Sequence, residues 1–286
     1  MNETVCNFGP NNSLFGILTT PDDDVRVENA PIALILNAGI VHRVGPFRIH
    51  VDIARQLAAA GFSTLRLDLS GLGDSAPRTG KIDEIENRAV LDVGDAMNFL
   101  QAETGVDRFT LLGLCSGAYN AHRVAVQDDR IVAAAFLDGI VFRTTGYYLR
   151  RFSRFFRFRF WRNAVKRNLS RRNNLDSDVE SNSFNESEFF EVGLSKDEVV
   201  EVLNLLVQRN VQMLFLYTDG YDDIVGRSQF KEMYGLQPDD GQLQVEYYPK
   251  SEHTFRLIEN RRAACNRIAD WFVGRFASEA LSNATQ

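Results

Sequence analysis

Apolar residues in the first half of the chain fall into short runs that alternate with segments of helical spacing. Residues 32–36 and 62–67 form apolar runs of the length that is typical of buried strands. Residues 48–60 and 85–102 instead carry apolar positions three and four apart, which predicts amphipathic helices. Strands that alternate with helices in this way predict a parallel sheet covered by helices on both faces.

The same alternation continues along the chain. Further strands are predicted at 14–19, 109–112, 131–137, 211–217 and 243–248, and further helices at 116–127, 196–209 and 255–276.

Residues 142–195 interrupt this pattern between two late strands. Their first part is crowded with arginine and aromatic residues and has no acidic residue, whereas their second part is acidic and rich in Asn and Ser. Neither part resembles a sheet core, and a long connection of this kind is typical of a lid. We therefore predict one α/β domain, with core residues 1–141 and 196–286 and a cap or lid at 142–195.

Composition narrows the class of protein. The chain has 286 residues, of which 44% are hydrophobic and 24% charged, as in ordinary globular proteins. The formal net charge of −6 argues against nucleic-acid binding. Three widely spaced cysteines suggest neither a disulfide framework nor a zinc site.

The N-terminal residues lack the features of a signal peptide, and no apolar run reaches the ~20 residues of a membrane helix. We expect a cytoplasmic protein.

The stretch GLCSG, residues 113–117, lies where a predicted strand meets a predicted helix. In a G-x-nucleophile-x-G turn the flanking positions must be small, so that the central side chain stands above the sheet. This register makes Cys115 the candidate nucleophile, because with Ser116 at the centre the flanking positions would be Leu114 and Ala118. The alternative is a small thiol packed under a helix.

A cysteine nucleophile requires a base and a group that orients it. His253 lies in the loop between the last predicted strand and the last helix, where the order nucleophile, acid, histidine places the base. We expect His42, His50 and His122 to be structural or surface residues. The acid is predicted after the strand at 211–217, with Asp222 preferred and Asp219 as the alternative.

Two backbone amides are predicted to hold the negative oxygen of a tetrahedral intermediate. One is the amide of Ser116, directly after the nucleophile. The other is the amide of Ile40, in the loop that follows the strand at 32–36. In the later stretch DLSGLGDS, Asp68 and its glycine turn either contact a ligand or shape the loop beside the pocket, and we favour the second interpretation.

These stretches together resemble the α/β-hydrolase superfamily over almost the entire chain. The resemblance rests on NAGIVHRVGP, GFSTLRLDLSGLGDS, GLCSGA and SEHTF. The N-terminal third and the YYLRRF stretch are also similar to hydrolases associated with bacterial exosortase and exopolysaccharide systems. The superfamily resemblance implies an α/β-hydrolase fold and acyl-transfer chemistry through a covalent intermediate. Most members carry Ser at the position of Cys115, although dienelactone hydrolases carry Cys.

The function predicted from these residues is hydrolysis of an ester or thioester through an acyl-cysteine at Cys115, without a metal or organic cofactor. The expected partner is a small-molecule or carrier-bound acyl substrate. One alternative is an acyltransferase in which a sugar hydroxyl or an amine intercepts the acyl group. Another is a hydrolase-like protein of exopolysaccharide production that binds without catalysis.

The arginine-rich and aromatic part of residues 142–195 has two interpretations. It can form an amphipathic surface that contacts an anionic membrane or anionic substrate. The favoured interpretation is a cap whose arginines pair with the acidic residues that follow and whose aromatic residues pack on the core.

Overall fold

The computed structural model describes residues 1–78, 87–149, 194–220, 223–238 and 241–277. Within these residues, eight strands form one sheet. The strands are β1 (Asn2–Phe8), β2 (Leu14–Thr20), β3 (Ile32–Ile35), β4 (Thr64–Asp68), β5 (Phe109–Leu114), β6 (Ile131–Leu137), β7 (Gln212–Thr218) and β8 (Leu243–Tyr248). The α-helices are α1 (Ile49–Ala59), α2 (Arg88–Thr104), α3 (Ser116–Ala125), α4 (Lys196–Gln208), α5 (Gln229–Tyr234) and α6 (Ile258–Phe272).

The sheet has the order β1-β2-β4-β3-β5-β6-β7-β8. The first two strands form an antiparallel hairpin, and β2 pairs with β4 in antiparallel orientation. Every pairing from β4 to β8 is parallel. The predicted mostly parallel sheet is therefore confirmed. β1 and the short α5 were not predicted, because β1 is mostly exposed and α5 has only six residues.

Helices cover both faces of the sheet, and the strands are buried accordingly. In β3, Ala33 and Ile35 belong to a core shared with α1 and α6, whereas Ile32 and Leu34 belong to the core beneath α2, α3, α4 and α5. This alternation follows from the two-residue period of a strand. Because the central strands are buried on both sides, they read as continuous apolar runs in the sequence.

Helix termini follow local sequence signals. At the start of α4, the Ser195 side chain accepts a hydrogen bond from the Glu198 amide, and the Glu198 carboxylate accepts one from the Ser195 amide. α2 ends at Gly105, whose φ of 76° suits a residue without a Cβ. These signals explain why the predicted helix bounds lie close to the observed ones.

The structure describes the beginning of the predicted cap, residues 142–149, and its last two residues, 194 and 195. The beginning packs on α5: the Phe142 amide donates to Met233 Sδ at 3.2 Å, and the Thr144 hydroxyl donates to Glu232 at 2.5 Å. Residues 150–193 lie outside the described residues, so the cap stays a prediction. In the described part of the chain, no helix has the length and apolarity that crossing a membrane would need.

Candidate active site

Cys115 lies at the turn between β5 and α3, at the carboxyl edge of the sheet. Its backbone has φ 57° and ψ −119°, a conformation that residues other than glycine rarely adopt. Such a residue typically costs about 1–3 kcal/mol, and the surrounding fold must hold it in place. The turn presents the thiol with partial exposure, whereas Cys6 and Cys265 are buried.

The glycines on either side of Cys115 allow this turn to form. A Cβ at Gly113 would lie 2.1 Å from the carbonyl carbon of Gly117, and a Cβ at Gly117 would lie 2.6 Å from the carbonyl oxygen of Asn37. Real Cβ atoms do not approach other atoms so closely. Positions 113 and 117 therefore require residues without a side chain, and Cys115 lies between them.

His253 brings an imidazole between the thiol and a carboxylate. It lies in the loop between β8 and α6, and its Nδ1 is 3.0 Å from Oδ2 of Asp138. Its side chain also hydrogen-bonds to Cys115. Since Nδ1 is engaged by the carboxylate, Nε2 is the nitrogen available to the thiol. A thiol, an imidazole and a carboxylate thus form one hydrogen-bonded chain.

The surroundings of His253 favour its protonated form. Burial alone would lower the imidazole pKa, because it penalises the charge. The hydrogen bonds to Asp138 and Cys115 and the charges of both partners outweigh burial and raise the pKa to about 10. The imidazole is therefore set to carry a proton at neutral pH, next to the Cys115 side chain.

Asp138 follows β6 directly and is fully buried. Its φ of 42° turns the chain at the strand end and directs the carboxylate toward the neighbouring strand β7. There the Thr218 amide donates to Oδ1 at 2.6 Å and the Thr218 hydroxyl donates to Oδ2 at 2.5 Å. Thr218 thus fixes both carboxylate oxygens independently of His253, and the fixed carboxylate orients the imidazole ring.

Among the described residues, the carboxylate bonded to the imidazole follows β6, whereas the acid was predicted after β7. Asp222, the preferred residue, lies outside the described residues. Asp219, the alternative, is exposed and accepts a hydrogen bond from the Tyr247 hydroxyl at 2.8 Å. The carboxylate at the imidazole belongs to Asp138, one strand earlier. The available signal was an aspartate at the end of the apolar run IVAAAFL, but the strand order was needed to interpret it.

The two predicted oxyanion amides belong to segments that meet beside Cys115. Ser116 is the first residue of α3, so its amide has no partner within the helix. Ile40 is 66% exposed and lies in a turn closed by a hydrogen bond from the Val41 amide to the Ala38 carbonyl. The two segments are joined directly, because the Gly39 amide donates to Ser116 Oγ at 2.6 Å.

A buried polar network holds the base of this loop. The Asn37 side chain donates to the Val41 carbonyl and to Oδ1 of Asp68, both at 3.1 Å. The Arg43 amide donates to the same Asp68 oxygen at 2.6 Å, and the Arg43 guanidinium pairs with the other oxygen at 2.5 Å. Asp68 therefore shapes the loop beside the site, as the favoured interpretation of DLSGLGDS predicted.

The other three histidines lie in the loop after β3, on α1 and on α3. His42 is exposed, and His50 and His122 are buried on α1 and α3. Burial lowers the pKa of His50 to about 4 and that of His122 to about 3. Their expected structural or surface positions are confirmed.

A comparison with protein families matches residues 32–247 to the model described as alpha/beta hydrolase fold. The chain belongs to this family. The match supports a hydrolytic enzyme that acts on esters. A search of the curated proteins finds no match.

Solved structures of alpha/beta hydrolases share the fold at low sequence identity. An esterase from Pyrococcus furiosus has a TM-score of 0.57 and 15% identity, with 96% of this chain and 91% of that chain covered. A dienelactone hydrolase from Anabaena variabilis has a TM-score of 0.56 and 14% identity, with 96% and 97% covered. An α/β serine hydrolase without a lid from Xanthomonas campestris has a TM-score of 0.53 and 16% identity, with 94% of each chain covered.

Proposed function

We propose that the protein hydrolyses an ester or thioester through a covalent acyl-cysteine on Cys115, with His253 as general acid and base and Asp138 as the group that orients it. The observation that supports this most is the imidazole of His253, hydrogen-bonded at once to a buried carboxylate and to the thiol at the strained turn. A nucleophile, a base and an orienting group in this relation are the requirements of nucleophilic acyl transfer.

The choice among the three cysteines follows from their surroundings. Burial raises the pKa of the Cys265 thiol to about 12 and also raises that of Cys6, so both stay protonated and unreactive at neutral pH. Cys115 is partly exposed and has a hydrogen-bonded imidazole. It also precedes α3, whose N-terminus favours a negative charge.

The reaction proceeds in two halves. In the first, the Cys115 thiolate attacks the acyl carbon, the new oxyanion is held by the amides of Ile40 and Ser116, and the bond to the leaving group breaks as the His253 imidazolium gives that group its proton. In the second, neutral His253 takes a proton from water, the hydroxide attacks the thioester, and the acid leaves as the thiolate takes back its place beside the imidazolium.

Replacement of the nucleophile tests the proposal. Cys115→Ala is expected to abolish turnover of short-chain p-nitrophenyl esters and of acyl thioesters, whereas Cys6→Ala, a matched cysteine substitution in β1, is expected to keep it. Intact-mass spectrometry of the wild type after mixing with a thioester panel should show one acyl adduct, absent from Cys115→Ala. Undiminished turnover by Cys115→Ala would rule out the acyl-cysteine.

The same assay separates hydrolysis from acyl transfer. If the protein is a hydrolase, the rate of acyl release does not depend on added sugars or amines. A product that appears only with such an acceptor would favour the acyltransferase predicted as an alternative from the sequence.

A further inference from the structure

The Ser116 side chain joins the two segments that carry the proposed oxyanion amides. Its hydroxyl oxygen accepts a hydrogen bond from the Gly39 amide at 2.6 Å, across 77 positions of sequence. A serine at the N-cap position ordinarily accepts from an amide of the first turn of its helix. At this helix the N-cap position is Cys115, which makes no side-chain capping bond, and the Ser116 hydroxyl is directed to the loop after β3 instead.

The loop after β3 is held differently at its base and at its tip. The base is fixed by the buried Asn37 and Asp68 side chains. The tip consists of Gly39 and Ile40. Gly39 has φ 58° and no atom within 4 Å of the position of a Cβ, and Ile40 is 66% exposed. Side-chain packing therefore does little to fix the tip, and the bond to Ser116 is a specific restraint on it.

We propose that Ser116 is a positioning residue for the oxyanion loop: its hydroxyl holds the Gly39 amide, so that the neighbouring Ile40 amide faces the same substrate oxygen as the Ser116 amide. This inference rests on the proposed acyl-transfer function. The reason is geometric, since an oxyanion donor is effective only when it is held about 2.7–3.1 Å from the oxygen that becomes charged. A loop tip free to move would satisfy that distance only part of the time.

The expected effect falls on the chemical step. Loss of the hydroxyl should lower kcat for p-nitrophenyl ester hydrolysis by about 10-fold to 100-fold, somewhat less than the loss of a complete oxyanion donor. KM should change by less than about twofold, because the restraint acts when charge develops on the oxygen. Alkylation of Cys115 by iodoacetamide forms no oxyanion, so its rate should stay unchanged.

A matched pair of variants tests this inference. Ser116→Thr keeps the hydroxyl, and Ser116→Val has nearly the same shape without it, so their comparison isolates the hydrogen bond even if Ser116→Ala does not fold. We expect Thr to retain most of the kcat, and Val and Ala to lose it, with equal iodoacetamide rates in all three. Ser228→Ala, in front of α5 where the serine makes no capping bond, is the control for a serine-to-alanine change.

Two outcomes would overturn the inference. One is equal kcat for Ser116→Thr and Ser116→Val. The other is a parallel fall of ester turnover and iodoacetamide alkylation in Ser116→Val, which would mean that the substitution disturbs the thiolate and not the oxyanion loop. Failure of the proposed function is recognised separately, because Cys115→Ala would then keep its turnover whatever the Ser116 variants do.

Discussion

Two fully buried carboxylates lie on either side of β5, and they are held by different kinds of partner. Asp138 follows β6, directly beside β5, and Asp68 ends β4, on the other side of β5 beyond β3. Both lie at the carboxyl edge of the parallel strands, where loops of an open α/β sheet form sites. Each fixes one half of the candidate active site.

The partners of the two carboxylates differ in how their own charge depends on pH. Asp68 pairs with the Arg43 guanidinium, which stays charged throughout the accessible pH range. Asp138 pairs with the His253 imidazole, whose charge depends on pH. Asp68 thus holds the loop after β3 through a partner of constant charge, whereas Asp138 has a partner whose charge changes with pH.

The largest expected effect comes from Asp138→Asn. The variant keeps the shape but removes the charge that stabilises the imidazolium and sets its tautomer, so kcat for ester hydrolysis should fall by about 10³-fold to 10⁴-fold. The same change at Asp219 or Asp222 is expected to cost less than about tenfold. A larger loss of kcat in Asp222→Asn than in Asp138→Asn would mean that the acid lies in the loop after β7.

The pH profile of kcat/KM should reveal the raised pKa of His253. The attacking form contains the imidazolium, so activity should persist above the ordinary histidine pKa of about 6.5 and decline only near pH 10. In Asp138→Asn the basic limb should shift toward lower pH, because a cause of the raised pKa is removed. A limb that stays in place would contradict the coupling of the two groups.

Folding stability should also depend on the protonation of His253, and it should decrease as His253 loses its proton. The folded state binds a proton at His253 between about pH 6.5 and pH 10 that the unfolded state has released, so this contribution is complete below pH 6.5 and is lost as pH rises through about 10. Urea unfolding of wild type and Asp138→Asn at pH 6, 8 and 10 measures it. The difference in unfolding free energy between the two should shrink at pH 10.

Asp68→Asn should affect stability more than pH dependence. Among the described residues, it leaves the largely buried Arg43 guanidinium with the exposed Asp74 as its one acidic partner, and such a loss costs about 3 kcal/mol. Urea unfolding should show the loss, while the basic limb of the activity profile stays near pH 10. A shifted limb would mean that the two carboxylates do not act independently.

The smallest effect is expected from His122→Phe. His122 is fully buried, stacks on Phe136 with ring centroids 4.0 Å apart, and burial lowers its pKa to about 3. Above pH 6.5 the His122 imidazole is neutral in the folded and the unfolded state, and it does not make folding stability depend on pH. As pH falls from 6.5 toward 3, the unfolded state takes up the proton first, so folding stability decreases. The Phe variant should lose this acid sensitivity in thermal unfolding, with turnover retained.

Local signals in the sequence were sufficient to predict most of the strands and helices and the turn at Cys115. The apolar run at 131–137 coincides with β6, since a strand buried on both faces leaves a continuous apolar pattern. The alternating pattern at 243–248 coincides with β8, which lies at the edge of the sheet. Gly113 and Gly117 identified Cys115 because the turn is a local structure whose steric demands involve adjacent residues. The loop position of His253 followed from the order of elements along the chain.

The identity of the carboxylate that contacts His253 depended on tertiary structure. Asp138 reaches His253, 115 positions away, only because β6 lies beside β7 and Thr218 fixes the carboxylate between the two strands. No spacing in the sequence encodes that adjacency, and the acidic loop after β7 was the nearer candidate by pattern. The bond between Gly39 and Ser116 is likewise a contact between distant segments.

The sequence by itself therefore determined the α/β architecture, the strained turn at Cys115 and the loop that carries the histidine, because each depends on periodicity or on the steric needs of neighbouring residues. Tertiary structure alone decided which carboxylate lies at the imidazole, which partners raise the imidazole pKa and what holds the loop after β3. Those properties depend on distances of a few ångströms between segments far apart in the chain, and such distances exist only after the sheet has assembled.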